Sequence, residues 1–194
     1  KSSESIIKYA KKLVKQTLRK ACDKDTVFKK VDGKGSFGNL LEYYYFKYKP
    51  NQNAHADFPE AEPGGGLELK STGLLKYKGD GGYRIKDRLS LRHISFEEDW
   101  KNTFLESSLF KKIKNLLLVF FIRDDELLDE DLIIKLVDTW SIPKEDLPTI
   151  IHDFNIIIEK IKAGLAHELS SSDTNYLEPS TTGEGHGKTV IQPF

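Results

Sequence analysis

The chain has 194 residues, 38% of them hydrophobic, and it carries 30 acidic and 30 basic side chains. This length suits one sizeable globular domain, and the longest apolar run, residues 116–122, is far shorter than the ~20 residues of a membrane span. The net charge of zero conceals an asymmetry, because residues 1–50 carry +8 and residues 115–194 carry −9. A neutral protein whose positive charge is gathered on one face can still bind nucleic acid.

The cysteine and methionine content sets two further expectations. A single cysteine, Cys22, excludes an internal disulfide framework and favours a reducing compartment, so we expect a cytoplasmic protein. The chain contains no methionine, not even at residue 1. We therefore expect it to be a fragment or a processed piece of a longer protein.

Two amphipathic segments predict helices near the two ends of the chain. Apolar residues recur at helical spacing through residues 2–20, with Ser2 or Ser3 as the N-cap. A second helix is predicted over residues 143–163, with Pro143 in its first turn and Gly164 at its C-terminal end.

The glycines of residues 33–38 match the G-x-G-x-x-G pattern and precede a predicted helix over residues 37–48. Dinucleotide binding requires a buried parallel strand just before the pattern, and residues 27–31 are too short and carry two lysines. The glycines more plausibly let the helix N-terminus lie close to a backbone or a phosphate. Glu42 lies in the middle of this helix, where a glutamate is usually a surface residue.

The remaining elements predict an α/β fold. Strands are predicted from near Lys86, over the almost continuously apolar residues 115–123, and over residues 131–140, with helical connections over residues 97–114. No internal repeat or linker divides the sequence. We therefore predict a single domain over residues 1–194, with a mixed β-sheet flanked by helices.

The stretch from Asp57 to Lys70 contains the most informative pattern. In a strand, Glu68 and Lys70 point to one face while Leu67 and Leu69 point to the other, towards the core. A hairpin through the intervening glycines brings Asp57 beside Glu68. Two carboxylates with a lysine beside them suit Mg²⁺-assisted hydrolysis of a phosphodiester, because hard oxygen ligands hold the metal and an ammonium positions the attacking water.

The acid-x-lysine pattern alone is weak. It also occurs at Asp32-Gly33-Lys34 and Asp99-Trp100-Lys101, but only residues 68–70 combine apolar alternation with an upstream acid across a turn. The alternative interpretation is a charged hairpin whose acids and lysine are simply solvated. A histidine metal site is disfavoured, since the five histidines are scattered without ligand spacing.

Five blocks, in order, resemble the MutH endonuclease family and its restriction-enzyme relatives that cut at GATC, within the PD-(D/E)xK nuclease superfamily. The resemblance implies a restriction-endonuclease-like fold with a DNA-binding cleft. The blocks are Gly35 to Glu42, Ala56 to Phe58, Leu67 to Lys70, Lys86 to Leu89, and Ile161 to Leu169 followed by Tyr176-Leu177.

The resemblance also implies roles for individual residues. Asp57 and Glu68 would bind Mg²⁺ together with the backbone carbonyl of Leu69. Lys70 would orient or deprotonate the attacking water, and we favour the orienting role. Among residues outside this stretch, Glu42 would support the acidic cluster or touch a second metal ion, and Lys86 would lie near the scissile phosphate.

Two departures from the family pattern affect these expectations. Ten residues separate Asp57 from Glu68, more than is common in the family, and we expect the surplus to extend a turn without disturbing the site. The relatives carry a Lys-Gly pair in their base-reading loop, where this chain has Thr182 and Gly183, so the recognition sequence stays open. The predicted DNA contacts are Lys34, Gly35, Lys76, Lys78, Thr181, Thr182 and Gly183.

The function that these observations predict is a type II site-specific deoxyribonuclease that acts on double-stranded DNA with Mg²⁺ at GATC sites. A second domain or a second protomer would serve double-strand cleavage. The alternatives are a catalytically silent DNA-binding module of the same fold, a MutH-type mismatch-repair nicking enzyme and a repair exonuclease of the superfamily. The retained Asp57, Glu68 and Lys70 argue against the silent module.

Overall fold

A four-stranded mixed sheet lies at the centre of the fold, in the order β2-β1-β3-β4. β1 runs parallel to β3, while β1 with β2 and β3 with β4 are antiparallel, which confirms the predicted mixed sheet. The strands are β1 (Glu68–Lys76), β2 (Tyr83–Ile85), β3 (Asn115–Ile122) and β4 (Ile134–Ser141). The computed structural model describes residues 2–29, 36–49, 55–61, 65–77, 79, 81–86, 88–91 and 99–179.

Five helices accompany these strands in the described part of the chain. They are α1 (Ser3–Lys11), α2 (Leu18–Ala21), α3 (Ser36–Leu40), α4 (Ser108–Ile113) and α5 (Leu147–Lys162). A π-helical turn, Leu41–Tyr45, continues α3, and 3₁₀ turns cover Asp99–Lys101, Phe104–Glu106, Asp129–Asp131 and Ala166–Glu168. None of the described helices combines the length and the apolar character needed to cross a bilayer.

The chain divides into two compact units, residues 1–91 with 111–141, and residues 92–110 with 142–194. In the first unit, one face of the sheet packs against the N-terminal helices and the π-helical turn. Its buried core includes Leu69, Leu117 and Val119 from the sheet with Ala10, Leu13, Phe37, Leu40 and Leu41. In the second unit, Phe104 packs edge-on against Phe154 of α5, with ring centroids 5.4 Å apart. One domain over residues 1–194 stays a prediction.

The first predicted helix is shorter than expected. α1 begins after Ser2, whose side chain accepts a hydrogen bond from the Ser5 N–H, but it ends at Lys11 instead of continuing to residue 20. Lys15 has φ +66° and donates its N–H to the Ile134 carbonyl at 2.8 Å, while Ile134 donates back to the Gln16 carbonyl. Pairing with the start of β4 therefore overrides the helical periodicity.

The prediction of a strand that begins near Lys86 is wrong for the described residues 86 and 88–91, which form none. β2 comprises only residues 83–85 and ends before Lys86. The predicted strand at residues 115–123 is confirmed as β3, and β4 begins three residues later than predicted because a 3₁₀ turn occupies residues 129–131. The helical connections predicted over residues 97–114 are confirmed within the described residues 99–114, which contain two 3₁₀ turns and α4.

The C-terminal helix has a later start than its sequence pattern predicted. α5 begins at Leu147 with Pro148 in its first turn, so Pro143 precedes the helix, while Gly164 has φ +74° beyond its end as expected. Tyr176-Leu177 forms no strand. Instead, the backbone N–H groups of residues 175–177 donate to the buried Asp153 carboxylate of α5. Burial alone would raise the pKa of Asp153, but these bonds outweigh it and lower the pKa.

Candidate active site

The first residues of β1 alternate as their sequence predicts. Leu67 and Leu69 are buried in the core, each 4% exposed, whereas Glu68 and Lys70 share the opposite face. The Lys70 ammonium lies 2.9 Å from Glu68 Oε1. The strand geometry alone therefore places an acid and a lysine in direct contact.

Asp57 reaches Glu68 through a tight return of the chain. Phe58 forms an antiparallel bridge with Leu67, after a turn in which Gly65 and Gly66 have φ of +67° and +111°. The Asp57 N–H donates to Glu68 Oε2 at 3.2 Å, and the Leu69 N–H donates to Asp57 Oδ2 at 2.9 Å. The predicted hairpin contact is therefore confirmed despite the long spacing between the two acids.

The Leu69 carbonyl faces the same edge of β1 as Asp57. Leu69 directs its N–H to Asp57, away from β3, and an extended residue directs its N–H and C=O to the same side. Gly73 lies four residues after Leu69 in β1, so its backbone groups point to the same side, and there its carbonyl accepts a hydrogen bond from the Lys86 N–H. Two carboxylates and a backbone carbonyl thus converge on one edge.

The carboxylate pair is not a solvated surface feature. Glu68 is only 1% exposed, and its Oε1 contacts a second ammonium, that of Lys112, at 3.5 Å. Burying an ionised carboxylate is costly unless charged partners and hydrogen bonds compensate it. The structure contradicts the alternative of a solvated hairpin.

Lys112 is a site residue that the sequence interpretation missed. It lies on α4, four residues before Leu116, the β3 residue that pairs with Glu68 in the parallel register. Only 9% of Lys112 is exposed. In the sequence, Lys112 is only a lysine just before an apolar strand. Its position beside Glu68 can be inferred only once the pairing of β1 with β3 is known.

Glu42 lies close enough to the pair to interact with it electrostatically. Burial, followed by the negative charge of Asp57, raises the pKa of Glu42 to about 7, although Lys70 and Lys112 lower it. Burial and the neighbouring Glu68 likewise raise the pKa of Asp57 to about 6. The site therefore contains more negative charge than its two lysines neutralise.

The structure does not bring Lys86 into this cluster. Its backbone N–H bonds to Gly73, five residues along β1 from Glu68, which is about 16 Å in an extended strand. Its ammonium lies 4.0 Å from Asp125. Lys112, rather than Lys86, supplies the second ammonium beside Glu68.

Most of the predicted DNA contacts lie outside the described residues. These are Lys34, Gly35, Lys78, Thr181, Thr182 and Gly183. Lys76 is described and exposed, at the end of β1 and with the same strand parity as Lys70.

With this geometry established, comparison with known proteins decides the family. The family model described as the DNA mismatch repair enzyme MutH matches residues 46–153, more than half of the chain. The chain belongs to the MutH family. The match contains Asp57, Glu68, Lys70 and Lys112 and begins after Glu42.

The chain is also similar in sequence to a restriction enzyme. The type II restriction enzyme Sau3AI of Staphylococcus aureus is 33% identical over 163 residues, which is 83% of this chain but 32% of that enzyme. The MutH-family chain thus spans about a third of the length of the curated relative it matches.

The crowded carboxyls predict how the stability of the metal-free protein changes with pH. Asp57 and Glu42 have usual pKa values of 3.8 and 4.5, and both values are higher in the folded state. Between the usual and the raised values the folded state binds more protons, so the free energy of unfolding falls as the pH rises from about 4 to about 7. In chelator, we expect a lower melting temperature at about pH 8 than at about pH 5.

The matched variant is Glu42→Gln, whose side chain is neutral at every pH. Its melting temperature should fall less over the same range. An equal fall of the melting temperature in both proteins would show that folding does not raise the pKa of Glu42.

Proposed function

We propose that this chain is the catalytic part of a type II site-specific endonuclease of a restriction system, which hydrolyses double-stranded DNA with Mg²⁺ at GATC sites. The observation that carries the proposal is the contact between buried Glu68 and half-buried Asp57: the Asp57 N–H donates to Glu68 Oε2, the Leu69 N–H donates to Asp57 Oδ2, and Lys70 contacts Glu68. Membership of the MutH family supports DNA as the substrate, and the match to a restriction enzyme supports a restriction system.

The residues present fit a magnesium ion. Mg²⁺ is commonly held by one or two carboxylates, with substrate phosphate and water as further ligands. Asp57 and Glu68 supply the carboxylates and the Leu69 carbonyl a third oxygen. Among the described residues, no three acidic, histidine or cysteine side chains cluster as a ligand set. Burial, followed by the negative charge of Glu68, raises the pKa of Asp57, and a bound divalent cation would offset that charge.

When bound, the cation would neutralise the charge that develops on the phosphoryl oxygens. The lysines have separate tasks. Lys70, 2.9 Å from Glu68, orients the attacking water by hydrogen bonding. Lys112, 3.5 Å from the same oxygen, offers a second ammonium to the phosphate.

Glu42 supports the acidic cluster in this proposal. A carboxyl with a pKa of about 7 exchanges its proton readily near neutral pH. A role near the scissile phosphate remains a prediction for Lys86, whose ammonium is paired with Asp125.

We propose that DNA lies in a cleft along the face of β1 that carries Lys70 and Lys76. The DNA contacts outside the described residues stay predictions, and Thr182 and Gly183 among them would read bases. Cutting both strands requires two hydrolytic events, so a second protomer or a further domain completes the enzyme. Base contacts rather than phosphate contacts would set the recognition sequence.

The experiment is digestion of three plasmids with Mg²⁺: one with unmethylated GATC sites, one with adenine-methylated sites and one without GATC. We expect cleavage only of GATC-containing DNA, with the ends mapping to those sites. Comparison of the first two plasmids gives the methylation response.

Other products would identify the alternatives. Nicks without double-strand breaks would favour a mismatch-repair-type enzyme, and degradation from free ends would favour an exonuclease. Binding without cleavage would indicate a silent module. Equal cutting of the plasmid without GATC would overturn the proposed specificity.

A further inference from the structure

Tyr48 lies between the two segments that carry the acids of the site. Its backbone N–H donates to the Glu42 carbonyl at 3.1 Å. Its ring packs edge-on against Phe58, the residue after Asp57, with centroids 5.5 Å apart and planes at 82°. The backbone bond and the ring contact therefore hold Tyr48 between the segment of Glu42 and that of Asp57.

That hydroxyl is buried without a partner in the described part of the chain. The Tyr48 Oη atom has less than 1 Å² of accessible surface and makes no hydrogen bond there. Leaving a buried hydroxyl unpaired is unfavourable, and such groups in folded proteins usually bind water or an ion, or take part in chemistry. The neighbouring Tyr45 differs, because its hydroxyl donates to the Tyr9 carbonyl at 2.7 Å.

The surroundings of the hydroxyl are acidic. Burial raises the pKa of Tyr48 most, and the charges of Asp57, Glu42 and Glu68 each raise it further. The phenol therefore keeps its proton, and the carboxyl groups that act on it electrostatically are hydrogen-bond acceptors. A water molecule between them would accept a hydrogen bond from the phenol and donate to the carboxylates, which would satisfy both sides.

We propose that Tyr48 is a positioning residue of the hydrolytic site, whose hydroxyl donates a hydrogen bond to a water molecule held among the carboxylates of Glu42, Asp57 and Glu68. This inference rests on the proposed function. The hydrogen bond fixes water against the carboxylate pair, and so it strengthens the hold of the pair on a hydrated divalent cation. Hydrogen-bond partners just outside a metal site typically contribute about 10- to 100-fold in metal affinity or activity.

The test compares Tyr48→Phe with the wild type in three measurements: Mn²⁺ affinity by equilibrium titration, melting temperature in chelator, and the single-turnover rate constant of GATC cleavage. We expect Mn²⁺ affinity and the rate constant each to fall about tenfold. The melting temperature in chelator should stay unchanged or rise, because the hydroxyl has no hydrogen-bond partner among the described residues to lose.

Tyr45→Phe is the matched control. It removes a hydroxyl that has a backbone partner, so its melting temperature should fall by about 2–4 °C. Its Mn²⁺ affinity should match that of the wild type, because the Tyr45 hydroxyl bonds to Tyr9.

Two results overturn the inference. One is unchanged Mn²⁺ affinity and rate in Tyr48→Phe, and the other is a lowered melting temperature with unchanged affinity, which indicates a purely structural hydroxyl. If the wild type itself neither binds Mn²⁺ nor cleaves DNA, the proposed function fails instead, and this inference fails with it.

Discussion

Replacing Glu68 with glutamine should abolish Mg²⁺-dependent cleavage. The amide keeps the size of the side chain but removes the negative charge that contacts Lys70 and Lys112 and that, in the proposal, would bind the cation. Asp57→Asn should also abolish cleavage, because it removes the negative charge of the second carboxylate. The measurement is the single-turnover rate on a GATC plasmid at saturating enzyme.

The control for this prediction is Glu60→Gln, which changes an exposed glutamate on the same turn. It should cleave like the wild type. Removing one partner of a buried ion pair typically costs about 3–5 kcal/mol of stability, so the melting temperature of each variant must be measured at the assay conditions. Wild-type cleavage by folded Glu68→Gln and by folded Asp57→Asn would end the metal-ligand assignment.

Lys70→Ala should lower the cleavage rate constant by roughly 10²–10⁴-fold while leaving DNA binding nearly intact. The reason is its position: the ammonium lies 2.9 Å from Glu68 and is 21% exposed, so it can reach both the pair and an entering water. Binding is measured with Ca²⁺ in place of Mg²⁺, a condition under which we expect the complex to form without turnover. The rate is then measured with Mg²⁺ at saturating DNA.

Lys111→Ala provides the comparison, because Lys111 is an exposed lysine next to Lys112 on α4. This variant removes one positive charge, as Lys70→Ala does, but leaves the contacts of Lys70 and Lys112 with Glu68 in place. Equal rates for Lys70→Ala and Lys111→Ala would show that the lysine beside Glu68 has no part in the chemistry.

The local geometry of the site was predictable from sequence because it depends on short-range rules. Alternation along one strand places Glu68 and Lys70 together, and a glycine-rich turn returns Asp57 to them. The apolar run that forms β3 was equally clear, since a continuous hydrophobic stretch of that length suits a buried strand.

Other features depend on contacts between distant segments, which a single sequence does not reveal. Lys112 reaches Glu68 only because β1 and β3 pair in parallel with Glu68 opposite Leu116. α1 ends early because Lys15 bonds to Ile134. The raised pKa of Glu42 depends on its burial and on the charge of Asp57, so from its helix alone this glutamate looked like a surface residue.

The measurement that tests the central claim most directly is the rate of GATC plasmid cleavage as Mg²⁺ is added to metal-free protein. The account predicts no cleavage without the cation, a rate that rises to saturation with it, and complete loss when excess chelator is added. Glu68→Gln should stay inactive at every Mg²⁺ concentration. Cleavage by the wild type that persists in excess chelator would contradict the assignment of Asp57 and Glu68 as a metal-dependent hydrolytic centre.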